Sequence, residues 1–230
     1  MKWAFGYAGA TSAGGPPTVI GERIFVAGGD GQVYLLDQQS GCVFLDIPAS
    51  GARSHRDYGQ RRRKDRVLRR LQGRAYAVDT SNGSLRWKTD LDEHPFANIT
   101  GAPRLYGGKL YVPMSSFEEL GAANPKYLCC TFRGSMNALD AKTGKVLWKS
   151  STISEPARSS TNESGITMTG PSGAGVWSSP TIDPDRHALY FGTGDNYSEP
   201  ANATSDAVIA LDKGEREGSV GETADFGGSL

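Results

Sequence analysis

The sequence predicts an all-β protein built as a β-propeller, and three observations lead to that prediction. One short unit recurs four times: an alternating apolar stretch that ends in Asp, a turn that ends in Gly, and usually an aromatic residue. Other strand-like runs separate the copies, so each unit holds several strands. The 230 residues include 30 Gly and 12 Pro, which fits a protein of strands and turns. Small sheets repeated at such intervals are typical of propellers.

The repeat itself has a physical interpretation. The copies lie at 31–37, 73–79, 134–140 and 206–212, and the first three are followed by Phe44, Trp87 and Trp148. Each alternating stretch predicts a strand with a buried face. The closing Asp is expected to accept hydrogen bonds from the turn, and the Gly to adopt positive φ. The aromatic residue is expected to anchor one sheet against the next, because it has a large apolar area.

The remaining strands are predicted from runs between these units. They lie at 22–27, 109–114, 145–149 and 188–192. A β-sandwich is the alternative, but a sandwich does not need the same turn and aromatic residue in every unit. We therefore expect a single propeller domain over residues 1–230.

Composition excludes several classes of function. The chain has 25 basic and 25 acidic residues, so no overall charge favours nucleic acid or a membrane surface. It has no transmembrane run, and no signal peptide with an apolar core follows Met1. Trp3 is interpreted as the closing aromatic residue of an earlier unit, which predicts that the chain starts inside a longer protein.

Four segments, at 99–103, 112–119, 127–134 and 170–178, resemble the quinoproteins that bind pyrroloquinoline quinone (PQQ). Within that family they are most similar to the branch of polyvinyl-alcohol dehydrogenase. The resemblance implies a PQQ-type propeller with about four blades of an eight-bladed ring. It implies oxidation of polyvinyl alcohol or other secondary alcohols to ketones, a cytochrome c or other electron acceptor, and a periplasmic location. The chain as given is expected to be incomplete and inactive. The alternative is a non-catalytic propeller that binds proteins, as outer-membrane assembly scaffolds with similar repeats do.

The resemblance also implies which residues bind PQQ. Adjacent Cys129 and Cys130 would form a disulfide ring against one face of the quinone, although two reduced cysteines are the other interpretation. Trp177 would cover the opposite face, since indole offers a flat apolar surface. Polar contacts to the cofactor carboxylates would come from Arg133, Thr100, Ser115 and Ser116.

Calcium is the second implied cofactor. A hard cation prefers oxygen ligands. Asn196 matches the position of an amide ligand in the family, and one of Glu118 and Glu119 would be the carboxylate ligand. Asp225, in a stretch reading Asp-Phe-Gly-Gly-Ser, is the candidate catalytic base. Its spacing from the fourth repeat is shorter than the family pattern.

Two segments depart from the repeat pattern. Residues 54–72 are dense in Arg and Lys, and residues 213–224 lack strand alternation. We interpret both as frameshifted or disordered segments, and reading the other two frames of the nucleotide sequence tests the first interpretation. Cys42 has no local partner and is expected to be buried. His94 and His187 are interpreted as loop residues that form no metal site.

Overall fold

The computed structural model describes residues 1–7, 17–27, 32–48, 73–79, 82, 84–122, 124, 127–163 and 165–212. The atypical segment 54–72, the atypical segment 213–224 and the candidate base Asp225 all lie outside these residues. The structure therefore tests none of those three interpretations.

The described chain is almost entirely β-structure, as the repeat predicts. Its elements, in chain order, are β1 (Thr18–Ile20), β2 (Arg23–Ala27), β3 (Gln32–Asp37), β4 (Val43–Pro48), β5 (Arg74–Val78), β6 (Leu85–Asp90), β7 (Ala97–Asn98), β8 (Arg104–Tyr106), β9 (Lys109–Ser116), α1 (Glu118–Ala122), β10 (Ser135–Asp140), β11 (Val146–Ser151), β12 (Arg158–Thr161), β13 (Thr167–Gly170), β14 (Ser172–Gly173), β15 (Thr181–Asp183), β16 (Ala188–Gly192), β17 (Asn196–Ser198) and β18 (Val208–Asp212). The strands predicted at 22–27, 109–114, 145–149 and 188–192 correspond to β2, β9, β11 and β16.

The strands form small antiparallel sheets. One four-stranded sheet has the order β1-β2-β3-β4, and a five-stranded sheet has the order β11-β10-β9-β7 with β8 also paired to β9. A three-stranded sheet has the order β15-β16-β18, and the pairs β5-β6, β12-β13 and β14-β17 complete the topology. The meander order of neighbouring strands is the arrangement expected of propeller blades. No helix in the described part of the chain is long and apolar enough to cross a membrane.

Contacts along the chain divide it into two compact units. The first comprises Met1–Arg70 with Tyr76–Lys88, and the second comprises Leu71–Ala75 with Thr89–Leu230. The four-stranded sheet belongs to the first unit. All described candidate site residues belong to the second.

The repeat turn has the predicted geometry in the two copies whose turns are fully described. Asp37 Oδ1 accepts hydrogen bonds from the amides of Gln39 and Ser40 at 3.1 and 2.8 Å, and Gly41 has φ 71°. Asp140 Oδ1 accepts the equivalent amide bonds at 3.1 and 2.8 Å, and Gly144 has φ 73°. These hydrogen bonds lower the pKa of both carboxyls. The Asp and the Gly of the repeat therefore serve to form the turn.

Replacing Gly144 with alanine is expected to lower the free energy of unfolding by about 1 kcal/mol, because a Cβ is disfavoured at positive φ. Urea denaturation of the full chain measures it. Gly192→Ala is the control: its Cβ would lie 3.6 Å from Ser178 Oγ, an ordinary contact, and its φ is not positive. Equal stability of the two variants would contradict the role of the turn glycine.

The main core of the second unit lies between two of its sheets. Tyr111, Met136 and Ala138 of the five-stranded sheet cluster with Leu189 and Phe191 of the three-stranded sheet, and Val176 joins them. Trp148 packs against this core, with its ring centroid 5.9 Å from that of Tyr111. The predicted anchoring role of the aromatic residue is confirmed for this copy. The same packing fixes the ends of β9 and β10, where the candidate site begins.

Two aromatic residues of the first unit, Trp3 and Phe44, have identifiable contacts. Trp3 Nε1 donates to the carbonyl oxygen of Gln38 at 3.1 Å, and its ring covers the turn at Gly41. Phe44 is exposed on one side but lies under the Arg23 guanidinium, 3.7 Å from the ring centroid. Cys42 corrects one expectation: it is a free, exposed cysteine. It directly precedes β4, which is an edge strand of its sheet in the described part of the chain.

Candidate functional site

The candidate site is organised around residues 172–177, which several other segments contact through the backbone. Gly173 pairs with Asn196 on β17 and also forms a bridge to Arg133. Gly175 accepts a hydrogen bond from the amide of Gly194 at 2.8 Å. Val176 donates to the carbonyl oxygen of Met114 at 3.0 Å, next to Ser115. The tertiary structure thus brings together residues that are up to about 80 positions apart in sequence, since Ser116 and Tyr197 also share a hydrogen bond.

The Trp177 indole lies close to the backbone of two glycines, Gly175 and Gly194. A Cβ on Gly194 would lie 2.6 Å from the indole Nε1, and one on Gly175 would lie 3.2 Å from it. Only glycine therefore fits beside this indole without moving it. The ring of Phe117 packs against that of Trp177, with centroids 5.5 Å apart. The glycine-rich approach and the aromatic neighbour hold the indole in place as a flat surface.

The hydroxyl groups predicted to contact a cofactor lie at the end of β9. Thr100 Oγ1 and Ser115 Oγ are 2.9 Å apart, and Ser115 Oγ donates to the carbonyl oxygen of Asn98 at 3.0 Å. Thr100 also donates to the carbonyl oxygen of Trp177 at 3.4 Å. Ser116 Oγ accepts the amide of Glu118 at 2.9 Å, so it caps the start of α1. Thr100 and Ser115 therefore lie beside Trp177, whereas Ser116 has a structural partner.

The two adjacent glutamates have different environments. Glu118 is fully buried, and its carboxylate accepts hydrogen bonds from the amides of Thr131 and Phe132 and from the Tyr127 hydroxyl. Burial raises the pKa of Glu118. The hydrogen bonds to the carboxylate, of which that from His94 is the strongest, lower this pKa by more, so the net pKa lies below its usual range. Glu119 instead has a buried oxygen, Oε2, that has no hydrogen-bond partner.

Asn196 has a second buried oxygen without a partner. Its Nδ2 donates to the carbonyl oxygen of Ser198 at 2.8 Å, which fixes the orientation of the amide, and its Oδ1 is left unpaired. The next residue is Tyr197, and burial and then the charge of Glu119 raise the pKa of its phenol. Buried polar atoms are rarely left without partners, and carboxylate and amide oxygens are the ligands that a hard cation prefers.

Arg133 has the third unpaired group. Its Nη1 donates to the carbonyl oxygen of Glu155 at 2.6 Å, whereas its Nη2 is buried and has no hydrogen-bond partner. A guanidinium with one anchored and one unpaired nitrogen is suited to bind a carboxylate. Its bridge to Gly173 places it beside the same segment as Asn196.

Cys129 and Cys130 form a disulfide across a cis peptide bond, and both residues are buried. The predicted disulfide is confirmed. Its backbone joins β13, because the carbonyl oxygen of Cys129 accepts the Thr169 amide at 2.8 Å. Phe132 contacts the central segment of the site, since its carbonyl oxygen accepts a hydrogen bond from the amide of Gly173 at 2.8 Å.

Two residues of the site, His94 and Tyr197, were not predicted from the sequence. His94 Nε2 lies 3.3 Å from Glu118 Oε1, and Tyr197 donates to the carbonyl oxygen of Ser116 at 3.2 Å. Neither follows a local pattern, although the position of Tyr197 directly after Asn196 was a signal that could have been used. Among the described residues no group of three or more His, Cys, Asp and Glu side chains could hold a metal. A cation at Glu119 and Asn196 would therefore need further oxygens from a ligand.

The unpaired atoms fit the two cofactors that the sequence predicts. Glu119 Oε2 and Asn196 Oδ1 are oxygens for a hard cation, and Arg133 Nη2 is a donor for a carboxylate. Trp177 and the disulfide offer flat surfaces of the kind that a planar ring needs. The donor set is thus chemically complementary to PQQ with Ca²⁺.

Comparisons with known proteins find PQQ-type relatives. The family model PQQ_2, described as outer membrane protein assembly factor BamB, matches residues 2–172. Polyvinylalcohol dehydrogenase from Pseudomonas sp is 40% identical over 219 residues, which are 92% of this chain and 34% of that protein. Polyvinylalcohol dehydrogenase from Sphingopyxis sp. (strain 113P3) is 39% identical, over 92% of this chain and 33% of that protein. The chain therefore spans about a third of the length of these relatives.

A solved structure supports the fold. Quinohemoprotein alcohol dehydrogenase from Comamonas testosteroni matches with a TM-score of 0.59 and 19% identity, over 88% of this chain and 33% of that one. The predicted all-β, PQQ-type propeller fold is thereby confirmed. The chain belongs to the PQQ_2 repeat family, and polyvinylalcohol dehydrogenases are among the proteins to which it is similar.

Proposed function

We propose that this chain forms the PQQ and calcium pocket of an alcohol dehydrogenase that oxidises polyvinyl alcohol or other secondary alcohols to ketones. The observation that carries the proposal is that three of the seven buried polar atoms without a hydrogen-bond partner among the described residues belong to predicted cofactor ligands: Glu119 Oε2, Asn196 Oδ1 and Arg133 Nη2. Leaving each of them without a partner costs on the order of 1–3 kcal/mol, so a ligand that pairs them would be strongly favoured.

Each residue of the proposed pocket has one task. Trp177 and the disulfide of Cys129 and Cys130 would enclose the two faces of the quinone. Arg133 would bind a cofactor carboxylate, and Thr100 with Ser115 would donate or accept hydrogen bonds at its edge. Ser116 caps α1 and so supports the pocket indirectly.

The calcium ligands from this chain would be Glu119 and Asn196. Of the two candidate glutamates, Glu119 is the better ligand, because the Glu118 carboxylate already accepts hydrogen bonds from four groups. When bound, PQQ with its Ca²⁺ supplies the two-electron oxidation of the alcohol. Asp225 stays our proposal for the group that accepts the alcohol proton, and it lies outside the described residues.

The partner is proposed on the name of a relative, and the location on the resemblance to quinoproteins. Quinohemoprotein alcohol dehydrogenase ADH IIB from Pseudomonas putida is 32% identical over 137 residues, and its name joins a quinone to a haem. A cytochrome c or other electron acceptor is accordingly the proposed partner, and the periplasm the proposed location. The proposal includes a single PQQ-type propeller domain for the chain.

The test is a titration of the full chain with PQQ at several Ca²⁺ concentrations, followed by tryptophan fluorescence. Glu119→Gln is expected to raise the Ca²⁺ concentration for half-maximal PQQ binding by about tenfold or more, because a charged ligand is lost. Glu163→Gln makes the same chemical change on an exposed turn and is expected to have no effect. Failure of the folded chain to bind PQQ would refute the pocket, and equal calcium dependence in the two variants would exclude Glu119 as a ligand.

A second candidate function is a non-catalytic scaffold, favoured by the description of the matching family as an assembly factor. A scaffold has no use for these three unpaired buried atoms, which come from three separate segments of the chain. PQQ binding in the titration above decides between the two functions.

A further inference from the structure

Glu118 has a fully buried carboxylate that the proposed cofactor pocket does not use. A buried carboxylate needs hydrogen-bond donors, because its desolvation is costly. Glu118 is the first residue of α1, next to the proposed ligand Glu119. Its donors therefore show which part of the chain depends on it.

Nearly all of these donors come from the loop that carries the disulfide. Tyr127 donates its hydroxyl to Oε1 at 2.8 Å, just before the two cysteines. The amide of Thr131 lies 2.9 Å from Oε1, and the amide of Phe132 lies 2.8 Å from Oε2, just after them. The single carboxylate thus binds both ends of residues 127–132.

His94 adds a donor from outside the loop. Its Nδ1 accepts the amide of Phe96 at 3.2 Å, so the proton of the neutral ring lies on Nε2. Nε2 lies 3.3 Å from Glu118 Oε1 and 3.1 Å from Thr131 Oγ1. His94 therefore supports the same contact that the loop makes.

Apolar packing also restrains the loop, because Phe132 is buried and its ring lies 5.5 Å from that of His94. Tyr127 packs edge-on against Phe96, with centroids 5.8 Å apart. Leu128, directly before Cys129, is 66% exposed and contributes no buried anchor. On the other side, backbone hydrogen bonds to Thr169 hold the disulfide. Hydrogen bonds to Glu118 add a polar restraint on the α1 side of the loop.

We infer that Glu118 is a positioning residue that holds the disulfide of Cys129 and Cys130 in place as a wall of the cofactor pocket. The inference rests on the proposed function for the pocket, but the hydrogen bonds to the loop stand without it. It gives adjacent glutamates separate roles: Glu119 faces the cation and Glu118 fixes the loop.

The experiment measures the loop and the pocket separately in Glu118→Gln. Exposed Cys42 is first alkylated, and reduction of the disulfide by dithiothreitol under native conditions is then followed by mass spectrometry. We expect reduction to become at least about tenfold faster, and the Kd for PQQ to rise about tenfold, because the amide group cannot accept all four donors.

Gly144→Ala is the matched control, since it destabilises a distant turn and leaves the loop unchanged. The global stability and the reduction rate are measured in both variants. The inference is overturned if Glu118→Gln accelerates reduction no more than Gly144→Ala does for the same loss of global stability. It is also overturned if reduction accelerates while PQQ affinity stays unchanged. Tyr127→Phe, which removes one donor, tests the same point where Glu118→Gln does not fold, with an expected change of about fivefold in both measurements.

Failure of the wild-type chain to bind PQQ would count against the pocket and not against the hydrogen-bonded loop. In that case the reduction rates alone decide the role of Glu118. Faster reduction in Glu118→Gln than in Gly144→Ala supports a role in holding the loop, and equal rates refute it.

Discussion

Replacing Trp177 with alanine is expected to weaken PQQ binding by about a hundredfold. One face of an indole covers roughly 100 Å² of a planar ligand, which at about 25 cal/mol per Å² corresponds to about 2.5 kcal/mol. The loss is expected in affinity and not in folding, because the indole lies beside Gly175 and Gly194 and not within the main core.

Binding in this variant has to be measured without tryptophan fluorescence. Equilibrium dialysis with detection of PQQ by absorbance gives the Kd directly. Trp177→Phe keeps a smaller ring at the same place and is expected to lose only about tenfold, as partial stacking is retained. Unchanged affinity in Trp177→Ala would mean that the quinone does not stack on this residue.

Replacing Gly134 with alanine is expected to have the largest effect on stability, a loss of about 3 kcal/mol or more. Its Cβ would overlap the carbonyl oxygen of Ala174 and lie 2.8 Å from Thr152 Oγ1. Backbone atoms cannot move away as a flexible side chain can. The Gly134 amide also donates to the carbonyl oxygen of Gly173 at 2.9 Å, so the overlap would shift the central segment of the site.

Urea denaturation of the full chain measures this loss, with Gly192→Ala as the control. PQQ binding by the folded fraction is expected to fall as well, because Arg133 and Gly173 lie on either side of the overlap. A Gly134→Ala variant as stable as the control would show that the backbone adjusts without cost.

The first glycine of the repeat illustrates why such effects cannot be read from the sequence. The repeat shows that a glycine precedes each of three strands, but not what it contacts. At Gly134 the neighbour is the backbone of Ala174, whereas at Gly73 it is the flexible side chain of Met114. Two positions that are equivalent in the pattern are therefore expected to tolerate substitution differently.

The assignment of the two glutamates shows the same limit. The sequence allows either Glu118 or Glu119 as a metal ligand, because both follow the same serines. Only the fold reveals that Glu118 is surrounded by the disulfide loop and His94, while an oxygen of Glu119 is buried and unpaired. His94 was missed for a related reason: its partner lies 24 positions away, with no local signal.

The sequence alone determined the strands, the turns and the family. Alternation with a period of two fixes which side of a strand is buried, and Asp and Gly fix the turns by local hydrogen bonding and positive φ. These features depend on near neighbours in the chain. The tertiary structure decided which polar atoms lack partners and which loop Glu118 holds, because those properties depend on segments far apart in sequence that only folding brings together.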